Sequence, residues 1–154
     1  MNADSRQPPS ALLHGTGEYL HRHRRNGLDE RIRMSNKLHG KKVWFFPDGD
    51  LPPPGDVEPK GHESLIILNP NREDARIILT LFFEDKEPAP INPIAVQGQR
   101  VCCIRMDKPI QGYRIPMGQY AVKLESTVEV ICQFGRLDVR QANMAYYTTM
   151  GFPG

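Results

Sequence analysis

Several features that would identify a function directly are missing from this sequence. The 154 residues contain no Gly-rich phosphate-binding loop, no nucleophile elbow and no HExxH zinc motif. No stretch approaches the roughly 20 consecutive apolar residues of a membrane-spanning helix. The N-terminus also lacks the apolar segment of a secretory signal. We therefore predict a cytoplasmic protein that is not an enzyme, is not inserted in a membrane and needs no cofactor.

Cysteine is scarce, and its placement excludes two further classes of protein. The three cysteines are the adjacent pair Cys102 and Cys103 and the distant Cys132. An odd number with two neighbours does not form a disulfide framework, and the spacing does not match a zinc site. All three lie in apolar, strand-like context, so we expect buried, reduced thiols and no metal site.

Charge is distributed unevenly along a chain whose overall composition, 39% hydrophobic and 25% charged, is typical of a soluble globular protein. Residues 1–42 carry nine basic and four acidic residues, a net charge of +5, whereas the remainder carries eleven and fourteen, a net charge of −3. Residues 1–40 lack persistent apolar periodicity, which predicts a disordered or weakly helical basic extension. Met34 would also make a sensible start, so residues 1–33 are alternatively an upstream start-site artefact.

Residues 41–154 show the pattern of an all-β domain. Short apolar runs recur every dozen or so residues, separated by turns rich in Pro and Gly and without long helical periods. This pattern predicts a β-sandwich or a jelly-roll-like barrel. We expect residues 62–69 and 75–83 to form a hairpin, residues 47–61 and 84–93 to form loops, and a short helical turn to begin at Gln141.

Single polar or aromatic residues in the first half of this domain are candidates for ligand contact. Trp44 would either pack in the core or stack on a ligand. His62 and Glu63 open a strand and provide minimal equipment for acid–base chemistry, although such pairs are frequent by chance. Asn69 lies beside a predicted turn, where local backbone bonding is as good an explanation as ligand binding.

The densest polar group follows the last apolar strand. Arg136, Asp138 and Arg140 are spaced two apart, which places all three on one face of an extended strand. Arginine offers a planar donor fork and aspartate accepts from hydroxyls, so this row suits a binding site. An exposed row of charges and an ion-pair network remain alternatives. Gln133 precedes the row and is included among the candidate ligand-binding residues.

The order of these motifs resembles the Anabaena sensory rhodopsin transducer family. Trp44 is followed by a G-x-x-P-P loop (49–53) and by "HE" opening a strand that ends in "LN" (62–69). An aromatic-x-D-K-E-P stretch (83–88), Arg100 and Q-x-x-R-L-D-x-R-Q (133–141) complete the series. The resemblance covers residues 42–152. Phe83 stands where the family often has Tyr, and the basic extension is foreign to the pattern.

The resemblance implies a β-sandwich that assembles as a homotetramer. The founding member is a soluble partner of a photosensory membrane protein and has been linked to DNA, while relatives have been proposed to bind sugars or similar metabolites. We predict a non-catalytic module for a sugar-like polar metabolite, using Trp44, His62, Glu63, Asn69, Gln133, Arg136, Asp138 and Arg140. The alternative is a signalling protein, associated with a receptor or DNA, whose polar row holds the oligomer together.

Overall fold

The computed structural model describes residues 40–56, 58–140 and 144–154. Strands account for all the regular structure in these ranges, and none of their residues is helical. The strands are β1 (Lys41–Leu51), β2 (His62–Asn69), β3 (Ala75–Phe82), β4 (Ala89–Val96), β5 (Arg100–Arg105), β6 (Gly118–Asp138), β7 (Ala145–Met150) and β8 (Phe152–Pro153). The predicted all-β class is therefore confirmed.

Strand β6 organises the whole fold because it belongs to two arms of antiparallel sheet. Its 21 residues pair with β1 and β3 over the first half, and with β2 and β7 over the second. One arm has the order β4-β3-β6-β1-β8, and in the other β5 adds to β2. Polar groups on neighbouring strands of different arms can therefore meet where β6 passes between them.

One hydrophobic core is shared by both arms. Alternate residues of β2 and β3 are buried, as the period of two in a half-buried strand requires. Leu65 and Ile67 from β2, Leu79 from β3 and Leu124 from β6 have no exposed surface and belong to one cluster. This arrangement, two sheet arms enclosing a common core, is that of the predicted β-sandwich.

Three sequence-based expectations for the strands were wrong. Strand β1 continues through residues 47–51, and β4 includes Pro90 and Pro93, although both stretches were expected to be loops. Strand β4 lies at the edge of its arm, where proline removes no essential ladder hydrogen bond. Strands β2 and β3 do not form a hairpin, because each pairs with a different half of β6.

Two other expectations concern residues outside the described ranges. The extension over residues 1–40 lies outside them, apart from Gly40. The helical turn expected at Gln141 also begins outside them. From Ala145 onward, where that turn would have continued, the chain is the extended strand β7.

Candidate functional site

A fully buried carboxylate lies at the point where β1, β2 and β6 meet. Glu63 has an exposed fraction of 0% and is paired with Arg136 across the β2–β6 ladder. Arg136 Nε donates to Glu63 Oε1 at 2.7 Å, and this arginine is itself only 8% exposed. Because charges are costly to bury unless they are paired and hydrogen-bonded, each of these side chains requires the other.

Glu63 also fixes three neighbouring segments. Its Oε2 accepts from the hydroxyl of Tyr120 at 2.7 Å, and its Oε1 accepts from the backbone N–H of Asp50 at 3.0 Å. Its backbone carbonyl accepts from the N–H of Met106 at 2.9 Å. Glu63 thus ties β1, β6 and the segment after β5 to β2. We call Glu63, Tyr120 and Arg136 the buried triad.

The pKa values of the buried triad follow from burial and from this pairing. Burial, together with the adjacent Glu63 carboxylate, raises the pKa of Tyr120 far above its usual range, so its hydroxyl remains a donor. Burial alone would lower the pKa of Arg136, but the hydrogen bond and the charge of Glu63 outweigh it and raise that pKa. The triad is therefore a fixed ion pair with a neutral phenol.

The charged row splits into an inner and an outer part. Arg136 is inside, while Arg140 pairs with Asp138 through a forked contact at the surface. This pairing lowers the pKa of Asp138. Arg140 also lies 3.9 Å from the carboxylate of Asp50. Of the eight predicted site residues, the structure gathers Glu63, Arg136, Asp138 and Arg140 around the end of β1.

A shallow groove of about 200 Å³ adjoins the buried triad. Phe82 and Phe83 form its apolar side, and Glu84 and Gln119 supply polar groups. Tyr120 also lines this groove, so it contacts both the groove and Glu63. We call this the Phe82 groove.

Asp48 connects the Phe82 groove to Arg136. Its carboxylate accepts from Gln119 Nε2 at 3.5 Å and lies 3.8 Å from Arg136 Nη2. Its backbone carbonyl accepts from the same arginine nitrogen at 3.2 Å. Since the Asp48 side chain is 74% exposed, it is the part of this network that solutes reach most easily.

The remaining predicted residues lie elsewhere. Trp44 is 6% exposed, and its indole N–H donates to Lys41 and Val130 carbonyls, both at 3.0 Å. This ring packs in the core and presents no open face to a ligand. His62 points to the face of β2 opposite Glu63, with Nδ1 2.8 Å from the Lys60 carbonyl.

Asn69 and Gln133 are also separated from the buried triad. Asn69 is fully buried about 20 Å farther along β2. Its amide donates to the carbonyl of Glu73 at 2.8 Å and to that of Val96 at 3.1 Å, so it ties two turns together. Gln133 lies on the face of β6 opposite the buried Cys132 and Phe134.

Four residues of this network were not among the predicted site residues: Asp48, Asp50, Tyr120 and Tyr147. The ring of Tyr147 covers the guanidinium of Arg136, with 5.3 Å between Cζ and the ring centroid. The usable signal was the pair Asp48 and Asp50 on either side of Gly49, in the stretch 47–61 that was expected to be a loop. The two tyrosines carried no local signal. Tyr120 reaches Glu63 through pairing of strands that are distant in sequence, and Tyr147 reaches Arg136 through the pairing of β7 with β6.

Within residues 40–56, 58–140 and 144–154, no group of three or more His, Cys, Asp or Glu side chains is arranged to hold a metal ion. Over the same ranges, no helix has the length and apolarity needed to cross a membrane.

The fold and the buried triad define a class of small antiparallel β domains built on one shared strand. The family model described as Anabaena sensory rhodopsin transducer matches residues 39–153. The chain belongs to this family, which confirms the resemblance inferred from the motifs. The comparison with curated proteins found no match.

Two solved structures support the assignment. The crystal structure of Thermotoga maritima 1070 is 34% identical, with a TM-score of 0.69, covering 76% of this chain and 97% of that one. The Anabaena sensory rhodopsin transducer is 32% identical, with a TM-score of 0.59, covering 68% of this chain and 94% of that one. Both matches span nearly the full length of the relative.

Proposed function

We propose that this protein is a non-catalytic binding module for a small polar metabolite, a sugar or a related compound, held in the Phe82 groove. The observation that carries the proposal is the composition of this groove. It combines an aromatic side, Phe82 and Phe83, with a carboxylate and an amide, Glu84 and Gln119. An apolar platform with a few placed polar groups is the general design of small-molecule sites.

The size and support of the groove fit the same ligand class. A volume of about 200 Å³ is below the range of about 300–1,000 Å³ typical of drug-sized ligands, and therefore suits a single small ring. Phe82 is 38% exposed, so its ring is accessible for stacking. The Tyr120–Glu63 hydrogen bond at 2.7 Å fixes the wall of the groove in advance, which reduces the ordering cost of binding.

The test is a thermal-shift screen of neutral monosaccharides, sugar alcohols and sugar acids, followed by calorimetry on any stabiliser. A ligand at ten times its Kd should stabilise the fold by about 1.4 kcal/mol. The double variant Phe82→Ala/Gln119→Ala should lose the response, whereas Glu125→Gln, elsewhere on β6, should keep it. A flat response of the folded protein across the whole panel would contradict the proposal.

A second candidate function is that of an interaction protein, and the exposed C-terminal strand favours it. All six residues of β7 are exposed. Tyr146 and Met150 in β7 are 64% and 52% exposed, and Phe152 in the adjoining β8 is 66% exposed. Contiguous exposed apolar side chains of this kind mark protein–protein contacts. In this proposal the strand forms part of the homotetramer that the family resemblance implies.

Light scattering after size exclusion tests this second candidate. The double variant Tyr146→Ser/Phe152→Ser should reduce the particle mass if the strand is an interface. Asp138→Ala should leave the mass unchanged, because Asp138 bonds to Arg140 of its own chain. If the wild-type protein is a monomer at working concentration, the oligomer proposal fails.

Association with a receptor or with DNA is the remaining form of the interaction proposal. Residues 1–42 concentrate the positive charge at +5, while the rest of the chain is net negative, so DNA contact would depend on the extension. Deleting residues 1–40 should then abolish retardation of DNA in a gel. Undiminished retardation by the truncated chain would contradict a role for the extension.

A further inference from the structure

A second and larger cavity adjoins the G-x-x-P-P loop. It has a volume of about 580 Å³ and is bounded by this loop and by the segment between β5 and β6. Its walls include Leu51, Pro52, Ile115 and Pro116. This volume falls within the range of small-molecule sites. We call this cavity the proline cleft.

The walls of the proline cleft are held in place before any ligand arrives. Glu63 accepts from the N–H groups of Asp50 and Met106, at 3.0 and 2.9 Å, and each of these residues directly precedes a residue that lines the cleft. The Gly61 N–H donates to the Pro54 carbonyl at 2.9 Å and closes the proline loop. Proline residues restrict the loop further, so little entropy is lost when a ligand binds.

The segment between β5 and β6 is equally ordered. Ile110 and Tyr113 exchange backbone hydrogen bonds of 2.8 and 2.9 Å, which closes a tight turn. Ile110 and Ile115 are 5% and 3% exposed, so both ends of this turn are anchored in the core. The cationic residues on this segment therefore project from a fixed backbone.

The charge at the cleft is positive. Lys108 and Arg114 line it together with one carboxylate, Asp107. Arg105 occupies both oxygens of Asp107 through a fork, with Nε at 2.7 Å and Nη2 at 2.9 Å. Lys108 Nζ lies 3.5 Å from the same carboxylate. Arg105 already neutralises Asp107. Among the described residues that line the cleft, no second acid balances the charges of Lys108 and Arg114.

We propose that the proline cleft is a second binding site, for a small organic carboxylate with an apolar body. The apolar body lies against Leu51, Pro52 and Ile115, and the carboxylate faces Lys108 and Arg114. The arginine fork matches a carboxylate in shape, and the apolar walls exclude a fully hydrated ion. This site is separate from the Phe82 groove and does not depend on sugar binding there.

The experiment compares 3-phenylpropionate with the matched alcohol 3-phenylpropanol by calorimetry on the full chain. The carboxylate should bind at least about tenfold more tightly than the alcohol, because the charge-assisted hydrogen bonds are lost with the alcohol. The variant Lys108→Gln/Arg114→Gln should remove that difference. The control Lys42→Gln/Arg72→Gln also removes two positive charges but leaves the cleft intact.

Three outcomes of the calorimetry would overturn this proposal: no binding of the carboxylate, equal binding of acid and alcohol, or equal weakening by the control variant. Chemical-shift changes in labelled protein locate the bound molecule. Changes confined to residues 51–54, Gly61 and residues 107–117 are expected. Changes centred on Phe82 and Gln119 would assign the carboxylate to the Phe82 groove instead and would overturn the proposal.

Discussion

At the scale of single residues, Glu63 is the position on which most of the site depends. A buried ion pair contributes little net stability compared with an apolar pair of the same volume, because both charges must be desolvated. Its value here is geometric. Glu63 receives hydrogen bonds from Asp50, Tyr120 and Arg136, so one side chain sets the positions of β1 and β6 beside the Phe82 groove.

The Arg136→Met variant should be strongly destabilised, since it leaves the Glu63 carboxylate buried without its counter-charge. We expect the free energy of unfolding to fall by about 3–5 kcal/mol. Adding Glu63→Gln should restore part of this loss, about 1–3 kcal/mol, because the amide oxygen still accepts from Asp50 without carrying charge. Urea unfolding measures both changes. A double variant less stable than Arg136→Met would contradict the ion-pair interpretation.

The three thiols should react in a fixed order. The expectation that all three thiols are buried was wrong. Cys132 is fully buried, but Cys102 is half-buried and Cys103 is exposed, because both lie on β5, which pairs on one side with β2. Burial raises the pKa of Cys132 to about 12, and burial together with the neighbouring Cys103 raises that of Cys102. Since the thiolate is the reactive form, iodoacetamide should label Cys103 first and Cys132 only after denaturation. Peptide mass spectrometry reads the order, and early labelling of Cys132 would contradict it.

At the scale of elements, the important feature is the irregular end of β1. The register of β1 against β6 shifts between Phe46 and Gly49, and this irregularity brings Asp48 and Asp50 to Arg136 and Glu63. A Cβ added to Gly49 would lie 2.8 Å from Cζ of Tyr120. Glycine is required there because the strand passes directly against the ring that donates to Glu63.

Gly49→Ala should therefore displace Tyr120 and destabilise the fold by about 1–3 kcal/mol, the usual cost of overpacking. Asp48→Ala, at the neighbouring exposed position, keeps the backbone carbonyl that accepts from Arg136 and should cost far less. Thermal unfolding of the two variants gives the comparison. Equal effects would show that the approach to Tyr120 does not require glycine.

At the scale of the whole molecule, stability should depend on pH at both extremes. Pairing with Arg140 lowers the pKa of Asp138. At Asp107, burial by itself would raise the pKa, but the hydrogen bond and the charge of Arg105 outweigh burial and lower the pKa. A lowered pKa means stability that is present above the unfolded value, about 3.9, and is lost on acidification below it. The raised pKa values of Cys132 and Tyr120 instead make the fold less stable at alkaline pH.

The stabilising contribution of Cys132 and Tyr120 is complete at neutral pH. It is lost as the pH rises above their pKa values in the unfolded chain, about 8.5 for cysteine and about 10 for tyrosine. Tyr120→Phe should therefore flatten the decline above pH 10, in addition to lowering stability at pH 7. Tyr113→Phe, at a half-buried position outside the buried triad and outside β7, is the control and should follow the wild-type curve. Chemical denaturation between pH 7 and pH 11 measures the slopes, and an unchanged slope in Tyr120→Phe would refute the assignment.

The sequence by itself determined the all-β class, because short apolar runs and proline-rich turns are local features. It also determined the family, because the family motifs are short stretches of sequence. It also indicated Glu63 and Arg136 as candidate site residues, since both lie in recognisable motifs. It did not determine that these residues form one buried pair, or that Asn69 and Trp44 serve the core. Only the tertiary structure decided this, because β6 pairs with β1, β2 and β3, which are distant from it in sequence. Contacts of that range depend on register and shared burial, which no short stretch of sequence encodes.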